Sequence, residues 1–187
     1  MQEEADLLIQ LCRENMESSV SHLEKELLHI RAGKASPAML DGVLVEYYGS
    51  HVPLNQVSNV STPDPRTIAI QPWEKNLIPE IERAILAANL GFNPENNGEI
   101  IRINIPALTE ERRKELVKQV HKEGENARIS LRSARKEAND GLRKLLKEGL
   151  SEDIEKDAEI KVQELTDDFV KKIHILVVAK EKDIMTI

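Results

Sequence analysis

Four arginines, Arg128, Arg132, Arg135 and Arg143, recur at spacings that place them along one side of an α-helix. A row of guanidinium groups offers one chemistry: permanently charged, planar donors suited to carboxylates or phosphates. The chain around them is acidic, with a net charge of -7 over 187 residues. Residues 109–149 hold twelve Lys or Arg against eight Asp or Glu, a net +4, whereas residues 1–108 carry -7 and residues 150–187 carry -4. The sign changes in one segment only. A cationic helix face in an acidic chain fits presentation to a polyanion. The same charges fit a solvated helix face braced by Glu and Lys partners four apart, and the charge pattern alone leaves both readings open.

Other chemistry finds little support. Cys12 is the only cysteine and sits among apolar helix positions, which predicts a packed core thiol and excludes an intrachain disulfide or thiolate cluster. The histidines at 22, 29, 51, 121 and 174 show no metal-ligand pairing. Gly33-Lys34-Ala35-Ser36 resembles the end of a phosphate loop, but it lacks the upstream glycine and follows a helix where such loops follow a strand. Neighbouring acids such as Glu110 and Glu111, or Asp167 and Asp168, point in different directions on a helix, so general acid–base work is not expected. No catalytic site, metal or cofactor is predicted. Aromatic residues make up 3% of the chain, too few for a base-stacking platform, so any RNA recognition should go through phosphate and shape. No run approaches the roughly 18 apolar residues of a membrane span, and Met-Gln-Glu-Glu-Ala-Asp at the start is no basic presequence, so cytoplasmic residence is the expectation.

The elements that must position the arginines follow from periodicity. Leu8, Cys12, Met16, Val20, Leu23, Leu27 and Ile30 step by three and four, an amphipathic helix expected to end near Arg31-Ala32-Gly33. A second helix opens at Thr109 and carries Leu116, Val120, Ala127, Leu131, Ala134, Ala138 and Leu145 as its apolar stripe up to Gly149. A third follows the Ser151 cap with Val162, Leu165, Phe169, Ile173 and Leu176. Three matching seams predict a bundle. Between the first two helices the period drops to two, with strands expected at residues 43–48, 57–61, 67–70 and 100–105, a helix at 78–90 and a polar loop at 93–98. The fold class expected is therefore α+β: an antiparallel three-helix bundle formed by residues 1–31 and 106–187, with a small β/α/β domain at 32–105 inserted on two connecting strands. Gly33, Lys34, Ile105 and Pro106 mark the two crossings and a candidate hinge. At about 100° per residue the four arginines lie roughly 80–160° from the apolar stripe, facing outward, and Arg132 lies about 35 Å along the helix from Thr109.

Two stretches are more specific. Residues 30–42, Ile-Arg-Ala-Gly-Lys-Ala-Ser-Pro-Ala-Met-Leu-Asp-Gly, followed by Val45-Glu46-Tyr47-Tyr48-Gly49, resemble the first domain junction of bacterial ribosome recycling factors. Pro106 to Lys114 and Arg128 to Asp140 resemble the second junction and the basic helix of the same family. The resemblance implies an L-shaped two-domain protein. It implies a monomer that binds the ribosome after termination and, with elongation factor G and GTP, separates the subunits so that messenger and deacylated transfer RNA leave. It places Arg128, Arg132, Arg135 and Lys136 on a face for 23S ribosomal RNA of the large subunit, puts Arg31 and Arg113 near the hinge, and makes the small domain the part that elongation factor G pushes. Lys34 and Lys136 stand where relatives can carry arginine, a change that keeps the charge but loses the bidentate grip. The reading from a different class is a cytosolic helical adaptor or chaperone, in which the basic helix is an ordinary exposed face.

Overall fold

In the computed structural model, which describes residues 1–186, the chain divides into two compact units. One consists of Met1–Ala32 together with the chain from Glu110 onward; the other is Gly33–Thr109.

The first unit is built from α1 (Gln2–His29), α3 (Glu110–Lys147) and α4 (Glu152–Met185), each packed against the other two. Their buried stripes are Ala5, Cys12, Met16, Val20, Leu23 and Leu27 on α1; Leu116, Val120, Ala127, Leu131, Ala134, Ala138 and Leu142 on α3; and Ala158, Val162, Leu165, Phe169, Ile173 and Val177 on α4. Small residues let the helices approach closely. A Cβ on Gly124 would lie 2.7 Å from a Val177 methyl, and one on Gly141 would lie 2.9 Å from Leu8. The α3–α4 turn closes with Gly149 at φ +112° and the Leu150 N–H donating to the Leu145 carbonyl at 2.9 Å. Ser151 then caps α4 by accepting from the Ile154 N–H at 3.3 Å, with Glu152, Asp153 and Glu155 in the positive first turn.

The stripes differ from the sequence expectation at their ends. Leu142 takes the inward position, and Leu145 is half-buried, because an apolar repeat of seven drifts against a helix of 3.6 residues per turn. The same drift makes Val177 the buried residue and leaves Leu176 half-buried. Leu8 is likewise half-buried, resting over Gly141. Helix α1 stops at His29, short of the predicted Arg31-Ala32-Gly33: Ile30 is already extended, with its N–H on the Leu27 carbonyl.

The second unit contains β1 (Leu44–Tyr47), β2 (Ser50–Pro53), β3 (Ser58–Asp64), β4 (Thr67–Pro72), α2 (Ile78–Ala87), β5 (Pro94–Asn96) and β6 (Ile101–Asn104). Strands β1 and β2 form an antiparallel hairpin, and the others form an antiparallel sheet in the order β3-β4-β6-β5. Alternation along β4 and β6 sends Ile68, Ile70, Ile101 and Ile103 inward, where they meet Val45, Leu54, Ile81 and Ile85. Each such side chain contributes about 1.5–3 kcal/mol on burial. Two strands escaped the sequence reading, β2 and β5. Ser50-His51-Val52-Pro53 has only one apolar position, half-buried at that, and Pro94-Glu95-Asn96 is a short polar edge that pairs only with β6. Helix α2 ends at Ala87, three residues before the expected end, with Asn89 at φ +51°.

Ile105, expected at the hinge, continues the inward row of β6: it is 7% exposed and its N–H donates to the Arg66 carbonyl at 2.7 Å. Gly33 adopts φ +72°, and a Cβ there would lie 2.5 Å from Leu108 Cγ. Lys34 is half-buried and Pro106 exposed.

Candidate functional site

Helix α3 carries the cations because its apolar stripe leaves the opposite flank to long polar side chains. Arg132, Lys136 and Arg143 are exposed, whereas Arg128 and Arg135 are half-buried. The expectation that the whole row stands clear of the core is corrected in this respect. Arg128, its side chain 27% exposed, lies along the bundle with Nη1 3.4 Å from Glu125 Oε2. Arg135 reaches across to α4, where its Nη1 donates to Gln163 Oε1 at 3.4 Å. Stems held against the bundle present the guanidinium planes with less freedom to lose on binding.

The row is also not bare. Glu125 grips two arginines at once, Arg128 through Oε2 and Arg132 through Oε1 at 3.1 Å. Arg143 lies 3.7 Å from Asp140 and 3.9 Å from Glu159 of α4. Exposed pairs of this kind contribute about 0.2–1 kcal/mol each. A phosphate, which takes a guanidinium bidentately, displaces them readily. Asn139, part of the Arg128 to Asp140 stretch but not expected from sequence as a site residue, sits between Arg135 and Arg143 on the same flank, half-buried and with a buried Oδ1 that has no hydrogen-bond partner among the described residues. Its place in that stretch and its four-residue spacing from Arg135 and Arg143 are the signals the sequence carries for it.

Arg31 and Arg113 do not join this row. Arg31 is exposed just beyond α1, and Arg113 sits in the first turn of α3, half-buried with its Nε enclosed and unpartnered among the described residues. An arginine Nε without an acceptor costs about 1–3 kcal/mol in a closed site. Its position in the helix spacing, 15 residues before Arg128, puts it some 22 Å along the axis at 1.5 Å per residue.

Elsewhere the chemistry is quiet. Cys12 packs inside the bundle with its thiol 3.7 Å from the Ala134 carbonyl; burial, and then Glu137, push its pKa up, away from nucleophilic character. Among the described residues no group of three or more His, Cys, Asp or Glu is arranged to hold a metal ion, and no helix is long and apolar enough to cross a membrane.

The architecture defines a class: a three-helix bundle, interrupted after its first helix by a small antiparallel-sheet unit, with a ridge of arginines on its second long helix. Comparison with known proteins makes the assignment particular. A family model described as ribosome recycling factor matches residues 23–185, and the chain belongs to that family, whose members are translation factors and not enzymes. It is 57% identical to the ribosome-recycling factor of Flavobacterium johnsoniae over 187 residues, all of both chains. It is 52% identical to that of Cytophaga hutchinsonii over 185 residues, 99% of this chain and all of the relative. Among solved structures, the solution structure of a ribosome recycling factor superposes with a TM-score of 0.74 at 40% identity, covering 98% of each chain. Another is the T. thermophilus ribosome recycling factor, described with the E. coli elongation factor G bound to the E. coli post-termination complex. It gives a TM-score of 0.60 at 46% identity, covering 97% of this chain and 99% of that one.

Proposed function

We propose that this chain binds the ribosome after termination and, together with elongation factor G and GTP, separates it into subunits, so that messenger and deacylated transfer RNA leave. The observation that carries this reading is the full-length family relationship, joined to the arginine ridge of α3 in a chain of net charge -7. Arg128, Arg132 and Arg135, with Lys136 beside them, take phosphates of the large subunit's 23S RNA. Arg31 and the enclosed Arg113 add contacts away from that row. Phosphate contacts release counterions, so affinity is steeply salt-dependent. Shape, and not base edges, sets the specificity.

The chain acts as a monomer in the cytoplasm, without a cofactor of its own. It works as a wedge: hydrolysis and force come from the GTPase. The segments around Gly33-Lys34 and Ile105-Pro106 serve as the hinge between the bundle (1–31 with 106–187) and the inserted domain (32–105), Gly33 supplying the left-handed conformation that lets the chain turn there.

The test is subunit separation followed by light scattering: post-termination ribosomes, purified chain, elongation factor G and GTP. Separation that requires all three added components supports the function. Ribosomes that stay intact with all three present, while the chain is folded, refute it.

A further inference from the structure

Two rows of side chains face each other across the α3–α4 seam, each at four-residue spacing: Arg135, Asn139 and Arg143 on α3, and Glu155, Glu159 and Gln163 on α4. The helices run antiparallel, so the rows meet in opposite order. Arg135 Nη1 donates to Gln163 Oε1 at 3.4 Å, and Arg143 Nε lies 3.9 Å from Glu159 Oε1. Between these contacts Asn139 encloses an Oδ1 that finds no donor among the described residues.

Arg143 is not among the arginines assigned to RNA, although it continues their row. Its side chain is 64% exposed, and its contacts with Asp140 at 3.7 Å and Glu159 at 3.9 Å are longer than those of Arg128 and Arg132 with Glu125. A guanidinium so lightly held is open to a phosphate.

Behind it stands a carboxyl with little to hold its charge. Glu155 is 7% exposed. Burial holds its pKa above the ordinary carboxylate value, followed by its hydrogen bond to Glu159 and that group's charge, against weaker lowering by Arg143 and Lys156. The hydrogen bond itself needs a proton, since two carboxylates offer acceptors and no donor. Helix α1 brings no cation to the pair. Its first turns, which meet Gly149 through Met1 and Gly141 through Leu8, carry Glu3, Glu4 and Asp6, all exposed, and an N-terminal amine paired with Glu4 at 3.4 Å. Arg143 is thus the stronger of the two cations that keep Glu155 ionised.

We propose that Arg143 is a further phosphate-binding residue, and that the Glu155–Glu159 pair takes up a proton when a backbone phosphate of ribosomal RNA draws Arg143 away. Seating the phosphate removes the pair's cation and brings an anion near, and both changes favour the protonated form. The proton also adds an O–H donor to a row with an acceptor to spare. Binding that takes up a proton strengthens as pH falls: the gain begins as pH drops through the pair's pKa in the complex and levels off below its pKa in the free chain.

The proposal rests on the ribosome reading, and the wild-type samples of its test report on that reading by themselves. Affinity for large ribosomal subunits is measured by co-sedimentation at about pH 7.5 and about pH 5.5 for wild type, Glu155→Gln, Arg143→Gln and Lys118→Gln. The last removes one charge from an exposed position elsewhere on α3. The bundle histidines, 22, 29, 121 and 174, charge over the same range in every sample, so the differences between variants carry the result. Wild type gains about threefold more affinity than Glu155→Gln as pH falls, the effect of a linked shift of roughly half a pKa unit. Arg143→Gln binds about threefold more weakly than Lys118→Gln at the lower pH, and its pH gain drops to that of Glu155→Gln. Equal pH gains in wild type and Glu155→Gln, or Arg143→Gln binding like Lys118→Gln, overturns the proposal while wild-type binding upholds the ribosome reading. Folded wild type that binds at neither pH overturns both.

Discussion

Glu125 holds two of the four arginines, and replacing it with glutamine tests whether those arginines are kept for an external anion. In the free chain its carboxylate lies 3.4 Å from Arg128 and 3.1 Å from Arg132. Both contacts must be surrendered before a phosphate takes the guanidinium groups. Exposed pairs contribute about 0.2–1 kcal/mol each, and the lower part of that range applies because Arg132 and Glu125 are 57% and 49% exposed and screened by solvent. Two pairs then amount to about 0.4–1.2 kcal/mol, or about twofold to sevenfold in affinity at 1.4 kcal/mol per decade. Glu125→Gln should therefore bind large ribosomal subunits about twofold to sevenfold more tightly at low salt. The gain should shrink as salt rises. Co-sedimentation across a salt series provides the assay, with Glu115→Gln, which removes one negative charge from the same helix beside Arg112, as the control. Were Glu125→Gln to bind no more tightly than Glu115→Gln, the claim that Arg128 and Arg132 are presented to phosphate would be refuted.

Other consequences bear on the scaffold. Gly33→Ala should destabilise the protein by about 2–4 kcal/mol in denaturant titration, since a left-handed alanine costs roughly 1–2 kcal/mol and its Cβ would meet Leu108 at 2.5 Å; an unchanged midpoint would show that the segment relaxes freely. Gly124→Ala should lose about 1–3 kcal/mol through overpacking against Val177, and the pair Gly124→Ala/Val177→Ala should recover part of it, so strictly additive losses would exclude the contact. Glu155 is buried in the first turn of α4, and burial, followed by Glu159, raises its pKa against weaker lowering by Arg143 and Lys156. A raised carboxyl pKa favours the folded state below the unfolded value, and that contribution is lost as pH climbs through the folded pKa. Glu155→Gln should accordingly raise the melting temperature at pH 7 and leave it nearly unchanged at pH 3.5; an equal gain at both would point to packing instead.

Much of this architecture is legible in the chain because the strongest signals are long. Steps of three and four from Cys12 to Leu27, and of three, four and seven from Leu116 to Ala138, have one solution, a helix with a buried seam, and the structure buries those positions, with Gly124 filling the gap between Val120 and Ala127. The ends were less legible: Leu145 and Leu176 gave way to Leu142 and Val177, since a seven-residue pattern does not fix which neighbour faces in after several turns. Strand β2 was hidden because its pairing is set by the Tyr48-Gly49 turn and not by its own apolar content. The arginine row was visible as spacing and sign. Its restraint by Glu125 and Gln163 was not, because Gln163 lies on another helix and the Glu125 to Arg132 pair spans seven residues. Nor could spacing foretell that one carboxylate, Glu74, would accept from both Tyr48 and Tyr47, 26 and 27 residues away.

The central claim is that α3 grips ribosomal phosphate through its arginines, and the slope of affinity against salt reports on it most directly. Each phosphate contact contributes about 0.7–0.9 to that slope, so the Arg132→Ala/Arg135→Ala double variant should lose about 1.5 from it and bind large subunits at least tenfold more weakly in low salt. Its helical circular dichroism should match wild type, because Arg132 is exposed and Arg135 half-buried, with no buried stripe position altered. A folded double variant with the wild-type affinity and the wild-type slope would contradict the account.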